Sequence, residues 1–222
     1  MDDITVIYYT ANRISEHFAN SVRANIIEVS GGAPIISVSH KPIDFGKNIC
    51  VGEYQPSAYR IYQQVLIAAM FAETEYIVCC EDDSLYTEEH IRFRPATKET
   101  FAYNINRWNV GPLQYYYRAR CGMCMCVAPR DALVKVLCTR FANFPQVLPS
   151  EQLVGFGEPG RKDYVLGLET PPLETFTTEI PCLTFNHRDS TGGMRKILRK
   201  DSLCETLPFW GSATELWKRV HG

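Results

Sequence analysis

The sequence predicts an α/β protein: a single domain whose central sheet is mostly parallel and flanked by helices. Three observations carry that expectation. First, the apolar run Ile4-Thr-Val-Ile-Tyr-Tyr9 is followed by a helix-like stretch and then by the strand-like Ile35-Ile-Ser-Val-Ser39, and strand, helix and strand at this spacing make a right-handed parallel unit the default. Second, Tyr76 to Cys80 is apolar without interruption, as suits a strand in a sheet covered on both faces. Third, the 222 residues are 45% hydrophobic and 22% charged, an ordinary globular composition that fits one large domain more easily than two small ones.

Taken in order, the strand at Ile4 ends in Thr10-Ala-Asn-Arg13. From Ile14 to Val29, apolar Ile14, Phe18, Val22, Ile26 and Val29 recur at spacings of three and four, the stripe of a helix lying on a sheet. Ser30-Gly-Gly-Ala-Pro34 ends it. His40 to Pro56 is irregular, with Ile49 to Val51 as a short strand. Ser57 caps a second helix that runs to Thr74 and leads into the strand at Tyr76. Phe101 to Asn106 alternates like a half-buried strand, and the apolar Cys121 to Ala128 reads as another before Pro129-Arg-Asp131 starts a helix over 132–141. Asp163 caps a short helix over 164–169, and Ile180 to Phe185 is a late strand.

Charge and cysteine usage narrow the class. A net charge of −2 provides no bulk attraction to nucleic acid or to an anionic membrane, so any polyanion site is a local patch. No apolar run approaches twenty residues and no basic leader precedes the first strand, which predicts a soluble, cytoplasmic chain without a membrane span. Nine cysteines, an odd number, favour free thiols over a disulfide framework. Cys121, Cys124 and Cys126 are read as buried strand residues, because no second Cys/His pair stands at zinc spacing.

The stretch that resists a purely structural account is Cys79-Cys-Glu-Asp-Asp83, an apolar strand that stops on three acids. Ligands of open α/β sheets bind at the carboxyl ends of the strands, and three adjacent carboxylates repel unless a cation or hydrogen-bond donors offset them. Carboxylate oxygens select hard divalent ions such as Mg2+ or Mn2+. The competing reading is a solvated turn and helix cap before Thr87-Glu-Glu-His90. Asn12 and Arg13 are open to two readings, a helix cap with a surface charge or a ligand contact. His187, at a strand end beside Asn186 and Arg188, is a ligand candidate. Arg188, Arg195, Lys196, Arg199 and Lys200 form a basic cluster that is either a solvated helix face or phosphate-facing.

In this order the motifs resemble the GT-A fold of nucleotide-sugar-dependent glycosyltransferases, from Ile4 to Lys196. The resemblance implies one GT-A-like, Rossmann-like domain over 1–222, with a nucleotide-sugar-binding half over 1–86 and an acceptor-binding, catalytic half over 87–222. Tyr9 to Arg13 would meet the nucleotide, through Thr10, Asn12 and Arg13. Glu81-Asp-Asp83 looks like the variant of the Asp-x-Asp motif whose last acid holds a divalent metal, Mn2+ or Mg2+, on the donor diphosphate; UDP-sugar is the expected donor. Asp83 and His187 would be metal ligands, Glu81 and Asp82 would bind ribose or order the loop, and Arg195 and Lys196 would assist the diphosphate. Lys162-Asp-Tyr-Val-Leu-Gly167 looks like the Glu-Asp-Val-x-x-Gly pattern of inverting members, whose Asp is the base. That assigns Asp163 as catalytic base, with Lys162 in place of the Glu and Glu158 as the rival.

The acceptor is the least defined part. Arg107-Trp108 and Tyr115-Tyr-Tyr-Arg-Ala-Arg120 interleave rings and arginines, as do surfaces that stack bases and neutralise phosphates; Trp108, Arg118 and Arg120 are the expected contacts. Because some GT-A-like enzymes glycosylate hydroxymethylated pyrimidines, modified DNA is a candidate acceptor beside a glycan or small molecule. A nucleotidyltransferase is an alternative, although residues 10–15 lack the glycine of a triphosphate-cradling loop. A non-catalytic carbohydrate- or nucleic-acid-binding module is the third reading.

Overall fold

A computed structural model describes residues 2–55, 57–145, 156–188 and 203–222. The first part of the chain forms β1 (Ile4–Thr10), α1 (Glu16–Ser30), β2 (Ile35–Ser39), β3 (Lys47–Cys50), α2 (Ala58–Phe71) and β4 (Tyr76–Glu81). Then come β5 (Ser84–Leu85), α3 (Glu88–Arg92), β6 (Phe101–Asn104), β7 (Arg107–Val110), β8 (Tyr115–Tyr117), β9 (Cys126–Pro129) and α4 (Arg130–Asn143). The rest holds β10 (Leu173–Phe176), β11 (Cys182–Phe185), β12 (Leu203–Cys204), β13 (Thr206–Leu207), β14 (Gly211–Ser212) and α5 (Ala213–His221).

The main sheet has seven strands in the order β10-β6-β9-β4-β1-β2-β3. β1 lies between β2 and β4 and runs parallel to both, with Tyr8 opposite Ser37 on one side and Cys80 on the other. Only β9 runs antiparallel to its neighbours, β4 and β6, so the mostly parallel α/β sheet expected from the sequence is what forms. Strand alternation then splits the core in two. Ile4, Val6, Tyr8, Val78 and Cys80 join Phe18, Val22 and Ile26 of α1 on one face. Ile7, Tyr9, Ile77 and Cys79 join Tyr59, Val65 and Ala68 of α2 and Leu133 and Leu137 of α4 on the other. Each large apolar side chain fully buried this way stabilises by roughly 1.5–3 kcal/mol, which explains why an uninterrupted apolar strand is tolerated only where both faces are covered.

Helix ends follow local chemistry. The Ser15 hydroxyl accepts the Phe18 amide, and Gly31, at φ 58°, closes α1 in the left-handed conformation. Ser57 caps α2 through the Arg60 amide. Two expectations are corrected. Of the run 121–128, Met123–Met125 turns as a 3-10 helix and only the part from Cys126 is extended. The helix expected over 164–169 is a 3-10 turn, Asp163–Leu166, ended by Gly167 at φ 63°. A second sheet of five strands, β12-β8-β7-β11-β5, stands at the carboxyl end of β4. In it β11 pairs with β5, setting Thr184 opposite Ser84, and with β7, setting Thr184 opposite Asn109. No helix among the described residues is long and apolar enough to cross a membrane.

Candidate active site

Where β1 and β4 end, the chain surrounds a cavity of about 580 Å3, a volume ordinary for a small-ligand site. Its floor is the acid triplet. β4 carries Glu81 in register with Tyr9, and the Tyr9 hydroxyl donates to Glu81 Oε1 at 3.3 Å. The Glu81 amide donates to the Tyr86 hydroxyl at 2.8 Å, and Thr10 Oγ1 donates to Asp82. Asp83 is buried and accepts from Ser84 Oγ at 3.0 Å, while the Phe185 amide donates to its carbonyl at 2.8 Å. That last bond, with the β5–β11 pairing, brings His187 Nε2 to 3.4 Å from Asp83 Oδ2. Among the described residues no three His, Cys, Asp or Glu side chains stand together as a complete metal cage; Asp83 and His187 are a pair.

Crowding three acids in a recess has an electrostatic cost. Burial, then the charges of Asp83 and Asp82, push the Glu81 carboxyl up to about 8. Burial and Asp83 push Asp82 up to about 6, against the opposing hydrogen bond from Thr10. The triplet therefore favours an arriving cation or proton.

The rest of the lining comes from three places. Thr10, Ala11, Arg13 and Ile14 follow β1. Ser57 to Gln64 present the start of α2, held in place because the buried Gln64 amide donates to the Thr10 and Val38 carbonyls at 2.9 and 3.2 Å. The third part holds Arg107, Asn109, Arg118, Arg120, Gly122, Cys124, Glu158 and Arg161. Arg107 is 3% exposed and its Nη1 donates to Cys124 Sγ at 3.1 Å. Glu158 is 7% exposed and paired with Arg161. Gly157 fixes the approach of this segment, because a Cβ there would lie 1.7 Å from the Tyr62 ring.

The residues expected from sequence divide accordingly. Thr10, Arg13, Glu81, Asp82, Asp83, Arg118, Arg120, Glu158 and His187 line one cavity. Asn12 is not among its lining residues; at φ 53° it orders the loop, its Oδ1 accepting the Lys41 amide at 2.9 Å. Asp163 is turned away from the cavity as well. It is 1% exposed, ion-paired with the buried Arg140 of α4, and it accepts the Gly160 amide at 2.8 Å. Nor does it cap the turn it begins. Its carboxylate is spent on joining α4 to the segment that carries Glu158. Trp108 is also outside the lining: on β7, Arg107 and Asn109 face the cavity and Trp108, between them, packs against Tyr117 at 5.3 Å on the other side. Arg195 and Lys196 lie outside the described residues. Sequence reasoning did not single out Arg107, Asn109, Gln64 or Arg161. The alternation Arg107-Trp-Asn109 before a strand of tyrosines is the signal that would have found the first two.

No family description matches the chain, and no curated protein does. Solved structures do match. A Drosophila β-1,4-galactosyltransferase 7 mutant, in complex with manganese, UDP-Gal and xylobiose, superposes with a TM-score of 0.51 at 10% identity, over 90% of this chain and 78% of that one. A glycosyltransferase involved in the glycosylation of the major capsid of PBCV-1 matches with a TM-score of 0.48 at 12% identity, over 82% and 91%. S. aureus TarS in complex with UDP-GlcNAc matches with a TM-score of 0.49 at 7% identity, over 89% of this chain and 62% of that one. The chain has the GT-A-like α/β fold expected from its motifs.

Proposed function

We propose that the protein is a divalent-metal-dependent glycosyltransferase that moves a sugar from a nucleoside-diphosphate sugar, a UDP-sugar first among them, to an acceptor hydroxyl. The observation that carries this reading is the acid triplet at the carboxyl end of β4, faced by His187 and opening into a cavity walled by arginines. A nucleotidyltransferase would share the sheet but lacks support from the loop at 10–15, which has no glycine to cradle a triphosphate.

The donor set of Asp83 and His187 fits Mg2+ or Mn2+, which use few protein ligands and complete their shell with phosphate oxygens and water. Bound there, the ion would supply Lewis-acid stabilisation of the departing diphosphate. The chain's own residues do the rest. Thr10, Arg13, Glu81 and Asp82 take the nucleotide side, with Asn12 ordering the loop. Arg13 adds positive charge where the leaving group develops negative charge. Arg195 and Lys196 are kept as candidates for the same task. Residues 1–86 would thus form most of the donor side and residues 87–222 the acceptor side, with His187 crossing between them.

An acceptor hydroxyl needs a carboxylate within hydrogen-bond reach to take its proton. Glu158, in the lining, suits this role better than Asp163, whose buried pairing with Arg140 favours a structural one. In a direct displacement the acceptor oxygen attacks the anomeric carbon, the bond to the diphosphate breaks and the proton passes to Glu158, giving inversion. Hydroxymethylated pyrimidine DNA is a candidate acceptor, supported by Arg118 and Arg120 in the cavity wall; the base would be flipped into the cavity. A glycan or small molecule is the alternative, favoured by Trp108 facing away from that wall.

The deciding experiment incubates the protein with Mn2+ and a panel of nucleotide sugars and measures released nucleoside diphosphate, with and without hydroxymethylcytosine or hydroxymethyluracil DNA at low salt. Release that disappears on chelation and grows with acceptor is the expected result. No release from any donor sinks the reading; release without transfer to modified DNA removes DNA alone.

A further inference from the structure

Three arginines of the cavity wall, Arg107, Arg120 and Arg161, stand with one carboxylate, Glu158, that is ion-paired among them. Arg107 is a buried guanidinium whose one hydrogen bond among the described residues goes to a neutral thiol, Cys124 Sγ at 3.1 Å, and it forms no ion pair among them. Its Nε, and the Nε of Arg120, are buried without a hydrogen-bond partner among the described residues. Arg161 adds a third charge, and Glu158 is the carboxylate paired with it. Burial, and then the Arg107 charge, pull the Arg120 guanidinium below its ordinary value, and Arg161 acts in the same direction. Arg107 and the Arg161–Glu158 pair gather round one small residue: a Cβ on Gly122 would lie 3.3 Å from Arg107 Nη1 and 3.7 Å from Glu158 Oε1, and Arg161 Nη1 donates to the Cys121 carbonyl at 3.1 Å. A buried cation short of partners is costly unless a ligand completes it.

This cluster shares no residue with the nucleotide side, although the Glu81 and Asp83 charges act on Arg107. It is built from β7, the turn after β8 and residues 158–161, whereas the residues assigned to the nucleotide, Thr10, Arg13, Glu81 and Asp82, follow β1 and end β4. A side chain at Gly122 would press on Arg107 Nη1, and all of these residues line the cavity, where a planar or tetrahedral oxyanion can meet several N–H donors at once.

We propose that Arg107, Arg120 and Arg161 form an anion subsite on the acceptor side of the cavity, which takes a phosphate or carboxylate group carried by the acceptor. The proposal rests on the glycosyltransferase reading, in which the donor occupies the other side. It makes the acceptor an anionic hydroxyl compound: the anion anchors it between the arginines while its hydroxyl is presented to Glu158. The subsite would set acceptor affinity and leave donor affinity nearly untouched.

The test measures binding of two probes, inorganic phosphate and glucuronate, by calorimetry, each to the protein alone and to the protein saturated with UDP and Mn2+. At least one probe should bind, and should still bind after UDP and Mn2+; which one does so distinguishes a phosphate from a carboxylate source. Arg120→Gln and Arg161→Gln, both at partly exposed positions, should weaken that probe by about tenfold or more each, the loss of one charge-assisted hydrogen bond. Arg120→Lys should restore part of it. UDP affinity should stay within about threefold in every variant, because the subsite shares no residue with the nucleotide contacts. Binding of neither probe, or competition of the probe with UDP, overturns the subsite, the second by assigning the wall to the donor diphosphate. Failure of every nucleoside diphosphate in a panel to bind, while a probe binds and the arginine variants lose it, leaves the anion site standing and removes the glycosyltransferase reading beneath it.

Discussion

Asp163 is buried and the acids at the end of β4 are half-buried or buried, yet their surroundings differ. Asp163 sits against the Arg140 guanidinium and the Gly160 amide, so its charge is met within the fold. Glu81 and Asp82 have hydroxyl donors but no ion pair among the described residues, and both carboxyls are pushed up. Buried charge that the chain itself completes holds parts together; buried charge it leaves incomplete marks where something binds. The same contrast separates Arg140 from Arg107, the one bonded to a carboxylate and the other to a thiol.

The sharpest way to break the comparison is to remove one partner of the completed pair. Arg140→Met leaves Asp163 as an uncompensated buried anion and should lower unfolding free energy by about 3–5 kcal/mol in urea titrations. A loss under about 1 kcal/mol would mean that the pair is not structural. Removing an acid from the triplet should instead cost activity and not stability. Asp83→Ala should cut transfer by on the order of a thousandfold, roughly 4 kcal/mol of barrier, while the urea midpoint moves little. Midpoint and turnover falling together would make the triplet structural too.

Next comes the assignment of the base. Glu158→Gln should lower turnover by about a hundredfold with donor affinity within a few fold. Asp163→Asn should instead lose stability; if it folds normally and loses turnover, the base is Asp163 after all. The smallest effect concerns a buried group outside the site. His90 is fully buried, stacked with Tyr86 at 5.5 Å and Phe176 at 5.8 Å, and burial holds its pKa at about 3. A depressed folded value means that the unfolded chain binds the proton first. The contribution is therefore complete above the unfolded value of about 6.5 and is lost as pH falls from there towards about 3. Relative to His90→Gln, the native protein should lose about 1–3 kcal/mol between pH 7 and pH 4.5, read from urea midpoints. Parallel curves would remove His90 as a source of acid sensitivity.

Legibility in the sequence followed the range of the interaction. β1, α1, α2 and β4 were readable because period, caps and apolar runs are local, and the triplet stood out because three acids ending an apolar strand defy that local logic. The buried ion pair of Asp163 is not legible in the sequence, because its partner, Arg140, is distant in sequence and on another element. Trp108 was placed in the acceptor surface by its neighbours in sequence, whereas the two-residue period of β7 sends Arg107 and Asn109 one way and Trp108 the other. The second sheet was not foreseen, since two- and three-residue strands such as β5 and β8 exist only through their pairing.

The bond from the Phe185 amide to the Asp83 carbonyl, described above as a positioning contact, also has a kinetic meaning. It lies in the short register that carries His187 beside Asp83. Any opening of β11 from β5 that frees this amide for deuterium exchange also separates the two side chains. Local unfolding and loss of the pair are then a single event, and exchange at one backbone position counts how often it happens. A ligand that bridges Asp83 and His187 closes that route, so the Phe185 amide should slow in proportion to occupancy although nothing touches it directly.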